Sequence, residues 1–345
     1  MNRYGLAVAL ALALATAACA ADPGPAGPGA SGSGTPATAA SSAPPASPES
    51  PAGTGFYVDP DSAAAQEVRR LEGEGKSEEA ALIRRIADRP NAIWIGDQDP
   101  QGRVADITTK ARQAGRIPVL VAYHIPDRDC GRFSAGGAAG ADEYRAWIGR
   151  FAAGIGDRPA WVIVEPDALA HILDNCTRGG QAGERLDLLR GAVETLKRQP
   201  ATKVYVDAGN AGWIKNPDDW AEPMRRAGVP QADGFAFNVS NFFTVEESVA
   251  VARRLSDGLG GAHYVIDTSR NGNGPVRDAH GDDAWCNPKG RALGTEPTTE
   301  TGRERVDAFL WIKRPGESDG ECHRGEPRAG DWFPEYALEL ARNAG

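Results

Sequence analysis

Two carboxylates follow an apolar run that is typical of a buried strand. The run is Trp161-Val-Ile-Val164, and Glu165 and Asp167 come directly after it. Because a charged group at such a position is costly to desolvate, its presence there indicates a functional use. Carboxyl groups supply both the proton donor and the charge stabilisation that cleavage of a glycosidic bond needs. The sequence therefore predicts acid catalysis on a sugar polymer.

Asp129, which follows the preceding apolar run, is the expected partner of Asp167. The proton donor must stay protonated near neutral pH, so burial or a nearby like charge must raise its pKa. We expect one of the two to stay ionised and to hold the proton on the other, whereas Glu165 holds a loop through backbone amides. An ion pair of Asp129 with Arg128 or Arg132 is the structural alternative.

Seven short apolar or β-rich runs recur along the chain, with amphipathic segments of helical spacing between them. The expected strands are 92–95, 117–123, 161–164, 203–206, 234–237, 263–266 and 308–312. The expected helices are 62–88, 101–115, 141–155, 183–199, 218–228, 244–257 and 333–343. This alternation predicts parallel strands that are joined by crossover helices.

Polar residues follow every expected strand. They include Asp97, Tyr123, Asp129, Glu165, Asp167, Asp207, Asn238, Asp267, Arg270, Lys313, Glu317 and Asp319. A barrel gathers the carboxyl ends of its strands around one mouth, whereas a doubly wound open sheet spreads them along a line. Seven strands with one polar mouth favour an α/β fold, namely a distorted seven-stranded parallel (β/α) barrel that is a variant of the TIM barrel. Asp267 and Arg270 are expected to form an internal ion pair or network.

The five cysteines indicate an exported protein with disulfides. Cys130 and Cys176 lie after the second and third expected strands. Cys286 and Cys322 lie after the sixth and seventh. Because neighbouring loops meet at the same mouth, we predict that each of these pairs forms a disulfide. The chain lacks a CxxC pattern and its five His are scattered, so we expect no metal and no cofactor.

The first 53 residues are typical of a targeting and spacer sequence. Residues 1–18 match a secretory signal peptide. Small residues before Cys19 predict lipidation of that cysteine and a tether to the outer face of the membrane, with cleavage and full release as the alternative. Residues 19–53 are almost entirely Pro, Gly, Ala, Ser and Thr, which predicts a disordered linker. Residues 54–345 form the expected catalytic domain.

Seven motifs, in the same order along the chain, resemble those of glycoside hydrolase family 6. They are YHIPDRDC (123–130), IVEPD (163–167), VDAGN (206–210), NVSN (238–241), VIDTSRNGNGP (265–275), WCNP (285–288) and WIKRPGESD (311–319). That family contains inverting endoglucanases and cellobiohydrolases that cut β-1,4-glucan. The resemblance runs from about Gly55 to the C-terminus. His124, Ala135 and Asn210 depart from the residues that are usual in the family, which leaves fine substrate preference open.

The resemblance implies a role for each matching residue. Asp167 matches the general acid, and Asp129 matches the carboxylate that keeps the acid protonated and helps to bring in the water. Asp319 matches a debated catalytic base. Tyr123 matches the tyrosine beneath the distorted sugar. The implied substrate-binding residues are Trp94, Ser134, Asp207, Trp213, Asn238, Trp285, Lys313 and Glu317.

Together these features predict a secreted, inverting and metal-free endo-β-1,4-glucanase that acts as a monomer on a β-glucan polymer or oligosaccharide. Short loops after the strands, notably 319–332, leave little chain to roof a tunnel and so favour an open cleft. A cellobiohydrolase or a mixed-linkage β-glucan hydrolase is the alternative enzyme. A non-catalytic sugar-binding lipoprotein is the alternative of another class. The net charge of −9 and the absence of a basic run argue against nucleic acid as a partner.

Overall fold

A computed structural model describes residues 55–96, 98–173, 176, 181–278 and 281–345, without the side chains of Asp282 and Asp283. The expected signal peptide 1–18, the lipidation site Cys19, the linker 19–53 and Asp97 lie outside the described residues. Among the residues described, no helix is both long enough and apolar enough to cross a bilayer.

Seven parallel strands form one curled sheet in which each strand pairs with its neighbours in sequence. They are β1 (Ile93–Ile95), β2 (Val119–Ala122), β3 (Ala160–Val164), β4 (Thr202–Asp207), β5 (Gly234–Phe237), β6 (Tyr264–Asp267) and β7 (Val306–Leu310). The two edges approach each other at the seam between β7 and β1, where the Ala92 N–H donates to the Trp311 carbonyl over 2.9 Å. The predicted α/β architecture with seven parallel strands is confirmed.

Helices connect the strands and cover the outer face of the sheet. They are α1 (Ala63–Gly73), α2 (Ser77–Ala87), α3 (Pro100–Gln113), α4 (Ala141–Ile155), α5 (Ala170–Leu173), α6 (Gln181–Leu196), α7 (Asp218–Arg226), α8 (Val245–Gly258) and α9 (Pro334–Asn343). The expectation of one helix over 62–88 is wrong, because Gly75 has a φ of 75° and ends the first helix before the second begins. The short helix α5 was not expected from the sequence.

Both faces of the sheet are buried, which explains why its strands are continuous apolar runs. Val121, Ile163 and Tyr205 point inward and pack with one another inside the curl. Val162 and Val164 of β3 belong to the outer layer that packs against the helices. A sheet that is filled on the inside and covered on the outside leaves only the ends of its strands accessible to a substrate.

Two disulfides tie the loops at the carboxyl ends of the strands. Cys130 pairs with Cys176, and Cys286 pairs with Cys322, with Cα atoms 6.2 and 6.3 Å apart. The predicted pairing is confirmed. The bridges close loops with sequence separations of 46 and 36 residues. In the chain-entropy model, loops of this size contribute up to about 4 kcal/mol each by restricting the unfolded chain.

Candidate active site

A cavity of about 900 Å³ opens at the carboxyl ends of the strands. The predicted site residues that line it are Trp94, Tyr123, Asp129, Ser134, Asp167, Trp213, Trp285, Lys313, Glu317 and Asp319. They come from strand β1 and from the loops after β2, β3, β4, β6 and β7, so the structure brings together residues from most of the described chain. This convergence is what the barrel interpretation required.

Several lining residues were not expected from the sequence as site residues. They are Arg128, Arg132, Phe133, His171, Phe243, Arg314 and Asp331. Most of them belong to the loops that follow β2 and β7, beside the predicted carboxylates. Their position in the sequence near Asp129 and Glu317 could have indicated that they line the site. The sequence alone does not show which side chains of a loop face the cavity.

Asp207 and Asn238 lie behind the wall of the cavity instead of on it. Asp207 is 1% exposed, and its Oδ2 accepts the backbone N–H of Asp167 over 2.8 Å. Asn238 is fully buried and donates to the carbonyls of Phe243 and Asp267. The expectation that these two side chains line the site is therefore wrong, since each one holds backbone beneath it.

Glu165 is fully buried at the end of β3 and binds the backbone of the loop after β2. Its carboxylate accepts the N–H of His124 over 2.9 and 3.0 Å and the N–H of Ile125 over 3.0 Å. Tyr123 directly precedes these amides, and Asp129 lies four residues beyond them. The geometry thus matches the predicted scaffold role of Glu165.

Asp267 is also fully buried, at the end of β6, and it likewise binds the backbone of neighbouring loops. Its Oδ2 accepts the N–H of Ser240 over 3.0 Å and that of Lys313 over 2.9 Å, from the loops after β5 and β7. The expectation of an ion pair or network is met as a network, because the Ser240 N–H donates to Asp267 and the Ser240 carbonyl accepts from Arg270 over 2.7 Å. Arg270 also donates to Asp319 over 2.7 Å.

Burial makes the charged form of these carboxylates unfavourable. It raises the pKa of Glu165 to about 7, against the lowering effect of the His124 and Ile125 amides. Burial likewise raises the pKa of Asp207 to about 7, although the Asp167 and Gly209 amides oppose it. Each N–H that donates to these carboxylates therefore offsets part of the free energy needed to remove them from water.

The two carboxylates predicted to act on the glycosidic bond both reach the cavity, from neighbouring strand ends. Asp129 accepts the Ser134 N–H over 2.6 Å. Arg128 donates to the carbonyls of Tyr123 and Ser134. Asp129 and Asp167 have φ values of 53° and 69°, and backbone strain of this kind is common where a side chain must be aimed at a substrate.

Asp319 is an ionised carboxylate between two cations. It is paired with Arg270 over 2.7 Å and with Lys313 over 3.1 Å, and it accepts the N–H of Asn287 over 3.0 Å. Burial alone would raise the pKa of Asp319, but the Arg270 and Lys313 charges outweigh it and hold that pKa below its usual value. A carboxylate with a lowered pKa is a weak base.

Lys313, Glu317 and Tyr123 complete the polar wall of the cavity. Burial lowers the pKa of the Lys313 ammonium, against the attraction of Asp319. Burial raises the pKa of Glu317, against Arg314, which pairs with it over 2.7 Å. Burial and the neighbouring carboxylates raise the pKa of Tyr123 well above its usual value, so its phenol keeps its proton.

Two clusters within the described residues bring three metal-ligating side chains together. They are Cys130, His171 and Cys176, and Cys286, Cys322 and Glu326. In each cluster both cysteines form a disulfide. Because metal ions bind the thiolate form of cysteine, these clusters do not offer a metal site in the oxidised protein.

Comparison with known proteins gives one consistent match. A family model described as "Glycosyl hydrolases family 6" matches residues 51–344. "Endoglucanase A" of Cellulomonas fimi is 44% identical over 84% of this chain, which spans 62% of that protein's length. "Endoglucanase 1" of Streptomyces halstedii is 41% identical, with 87% and 93% of the two chains covered. The solved structure of the endoglucanase Cel6 from Mycobacterium tuberculosis, in complex with a methyl-cellobiosyl thio-cellobioside, has a TM-score of 0.79 and 48% identity over 85% of this chain and 98% of that one.

The buried Glu165 predicts a specific dependence of stability on pH. Between its usual pKa of 4.5 and about 7, folded Glu165 keeps a proton that the unfolded chain has lost. The free energy of unfolding therefore falls as the pH rises through this range, by on the order of 3 kcal/mol for this group. In Glu165→Gln this contribution disappears, so urea unfolding at pH 5.5 and 8.0 gives a smaller difference than in the wild type. The exposed Glu194→Gln is the control, and an unchanged difference in Glu165→Gln would contradict the assignment.

Proposed function

The chain belongs to the glycosyl hydrolases of family 6, and we propose that it is an endo-β-1,4-glucanase that inverts the anomeric configuration. The proposed substrates are the internal bonds of cellulose or of related β-glucans. The endoglucanase names of the bacterial relatives and the cello-oligosaccharide analogue bound to the Mycobacterium tuberculosis neighbour support this assignment.

The observation that carries the proposal is the placement of Asp167 and Asp129 in one cavity, at the ends of the adjacent strands β3 and β2. Asp167 is fixed through its backbone by Asp207, and Asp129 is fixed through its carboxylate by the Ser134 N–H. Two carboxyl groups facing the same space can divide the roles of proton donor and ionised partner.

In the proposed mechanism Asp167 donates its proton to the glycosidic oxygen as the bond to the anomeric carbon breaks. A water molecule attacks that carbon from the opposite face, which inverts its configuration. The proton lost by this water passes to Asp129, directly or through a second water. Asp319 is a poor proton acceptor, because its oxygens already accept from Arg270, Lys313 and Asn287.

Aromatic side chains provide the remaining contacts that a glucan requires. Trp94, Trp213 and Trp285 line the cavity, and Trp213 is 46% exposed. Indole faces of this kind are suited to stacking on sugar rings. Tyr123 packs edge-on against Trp94, with ring centroids 5.0 Å apart, and Arg128 lies over its ring at 4.5 Å. Tyr123 is thereby held rigidly on the cavity wall, where it can disfavour a relaxed sugar ring.

The loop after β7 supports the preference for internal bonds. Glu317 bridges to Trp332, and the Ser318 N–H donates to the Asp331 carbonyl, so the segment between them folds back on itself. A compact turn of this kind leaves little chain to roof the cavity. An open cleft admits a long chain without requiring its end, whereas a tunnel requires a free end.

We also propose that the protein works outside the cytoplasm. Disulfides form and persist in oxidising compartments, and this chain has two. The signal peptide 1–18 and lipidation of Cys19 stay predictions, and they would place the enzyme on the outer face of the membrane. The proposed enzyme is a monomer.

Removal of the proposed general acid is the first test. In Asp167→Ala, kcat on carboxymethylcellulose should fall by about 10²- to 10⁴-fold, because no group protonates the leaving oxygen. A 2,4-dinitrophenyl cellobioside, whose leaving group needs no proton, should lose much less. The exposed Asp187→Asn is the matched control. Full activity of Asp167→Ala would refute the acid assignment, and the absence of hydrolysis of any β-glucan by the wild type would refute the proposed enzyme.

The preference for internal bonds is tested by viscosity. If the viscosity of a carboxymethylcellulose solution stays flat while cellobiose accumulates, the endo preference is refuted.

The stereochemistry of the first products is an independent test. Proton NMR during hydrolysis of a soluble cello-oligosaccharide should detect the α-anomer before mutarotation, because water attacks the face opposite to the departing oxygen. Initial release of the β-anomer would instead indicate a covalent intermediate on a carboxylate, and would contradict the roles given to Asp129 and Asp167.

A further inference from the structure

Phe133 is a large apolar side chain that stands exposed at the mouth of the cavity. It is 40% exposed and belongs to the loop after β2, four residues beyond Asp129. Its ring contacts two residues in loops on the other side of the seam between β7 and β1.

The first neighbour is Trp285, from the loop after β6. The two ring centroids are 6.0 Å apart and the rings are tilted by 53°. The second neighbour is Gly320, which follows Asp319 in the loop after β7. A Cβ atom on Gly320 would lie 2.5 Å from Cγ and 2.8 Å from Cβ of Phe133, so only a glycine leaves room for this ring.

The loops that meet at Phe133 are the loops that carry the proposed catalytic carboxylates. On one side, the backbone N–H of Ser134, the residue after Phe133, donates to Asp129 over 2.6 Å. On the other side, the carbonyl of Gly320 accepts the amide of Asn287, whose backbone N–H donates to Asp319. The contact therefore spans the cavity mouth from the Asp129 loop to the Asp319 loop.

We infer that Phe133, seated on Gly320 and Trp285, is a clasp that bridges the cleft at one point and selects for unbranched glucan chains. This inference rests on the proposed glucanase function. A long chain that enters sideways has to displace the Phe133 ring from Trp285 and Gly320. A chain that carries side-chain sugars needs the clasp to stay open, because its substituents occupy the space beneath the ring.

The clasp predicts a change in substrate preference when the ring is removed. In Phe133→Ala, the ratio of kcat/KM on xyloglucan to kcat/KM on cellohexaose should rise, since the linear hexamer can also thread in endwise. An aromatic contact of this kind corresponds to about a 2- to 10-fold change in that ratio. Phe133→Tyr keeps the ring and should keep the ratio of the wild type.

A double-mutant cycle separates the clasp from general damage to the loop. Gly320→Ala adds a methyl group that displaces the Phe133 ring, and it also strains the backbone, because the φ of Gly320 is 155°. The strain is the same with or without the ring, but the collision exists only with it. Gly320→Ala should therefore raise the ratio in the wild-type background and leave it unchanged in Phe133→Ala.

The outcomes distinguish the clasp from the function on which it rests. If the wild type hydrolyses cellohexaose but the ratio is the same in Phe133→Ala, the clasp is refuted and the glucanase function stands. An equal effect of Gly320→Ala in both backgrounds would also refute the clasp, because the effect would then come from strain. If the wild type hydrolyses neither glucan, the proposed function itself fails. Thermal unfolding of each variant checks that its fold is retained.

Discussion

The active site depends on buried carboxylates that bind the backbone of neighbouring loops. At the ends of β3, β4 and β6, Glu165, Asp207 and Asp267 are each 1% exposed or less. Glu165 binds the loop after β2, Asp207 binds the loop after β3, and Asp267 binds the loops after β5 and β7. Each of these carboxylates thereby attaches the end of its own strand to an adjacent loop. The reactive side chains project from the loops that are fixed in this way.

This arrangement gives each acidic residue at the mouth a different task. The carboxylates that receive several N–H groups are buried, and burial raises the pKa values of Glu165 and Asp207. Asp319 lies on the cavity wall, where Arg270 and Lys313 keep it ionised and lower its pKa. Asp129 and Asp167 remain at the surface of the cavity. Chemically identical carboxyl groups thus become supports, an ion-paired carboxylate and reacting groups, according to their desolvation, their backbone donors and their paired cations.

The fold could be predicted from the sequence because its signals are local. Apolar runs and helical spacing gave all seven strands and most helices, and the position of each cysteine after a strand gave the disulfides. The errors share a physical cause. Asp207 and Asn238 lie at strand ends just as Asp167 does, and sequence position alone does not say whether a side chain points into the cavity or under a loop. That direction is set by backbone φ and by amides from distant residues. The contact of Phe133 with Gly320 could not be predicted from the sequence, because the two residues are far apart along the chain.

The most direct test of this account is the kcat of Asp207→Ala on a soluble cello-oligosaccharide, measured on protein whose fold is verified by circular dichroism. Asp207 does not line the cavity, and it acts on the reaction through the backbone of Asp167, whose N–H it accepts. A displacement of about 1 Å at a reacting group can lower the rate by about 10²-fold, so kcat should fall by that order while KM changes little. Asp207→Asn, which keeps an oxygen acceptor for the Asp167 N–H, should recover part of the rate. A folded Asp207→Ala with the kcat of the wild type would contradict the account.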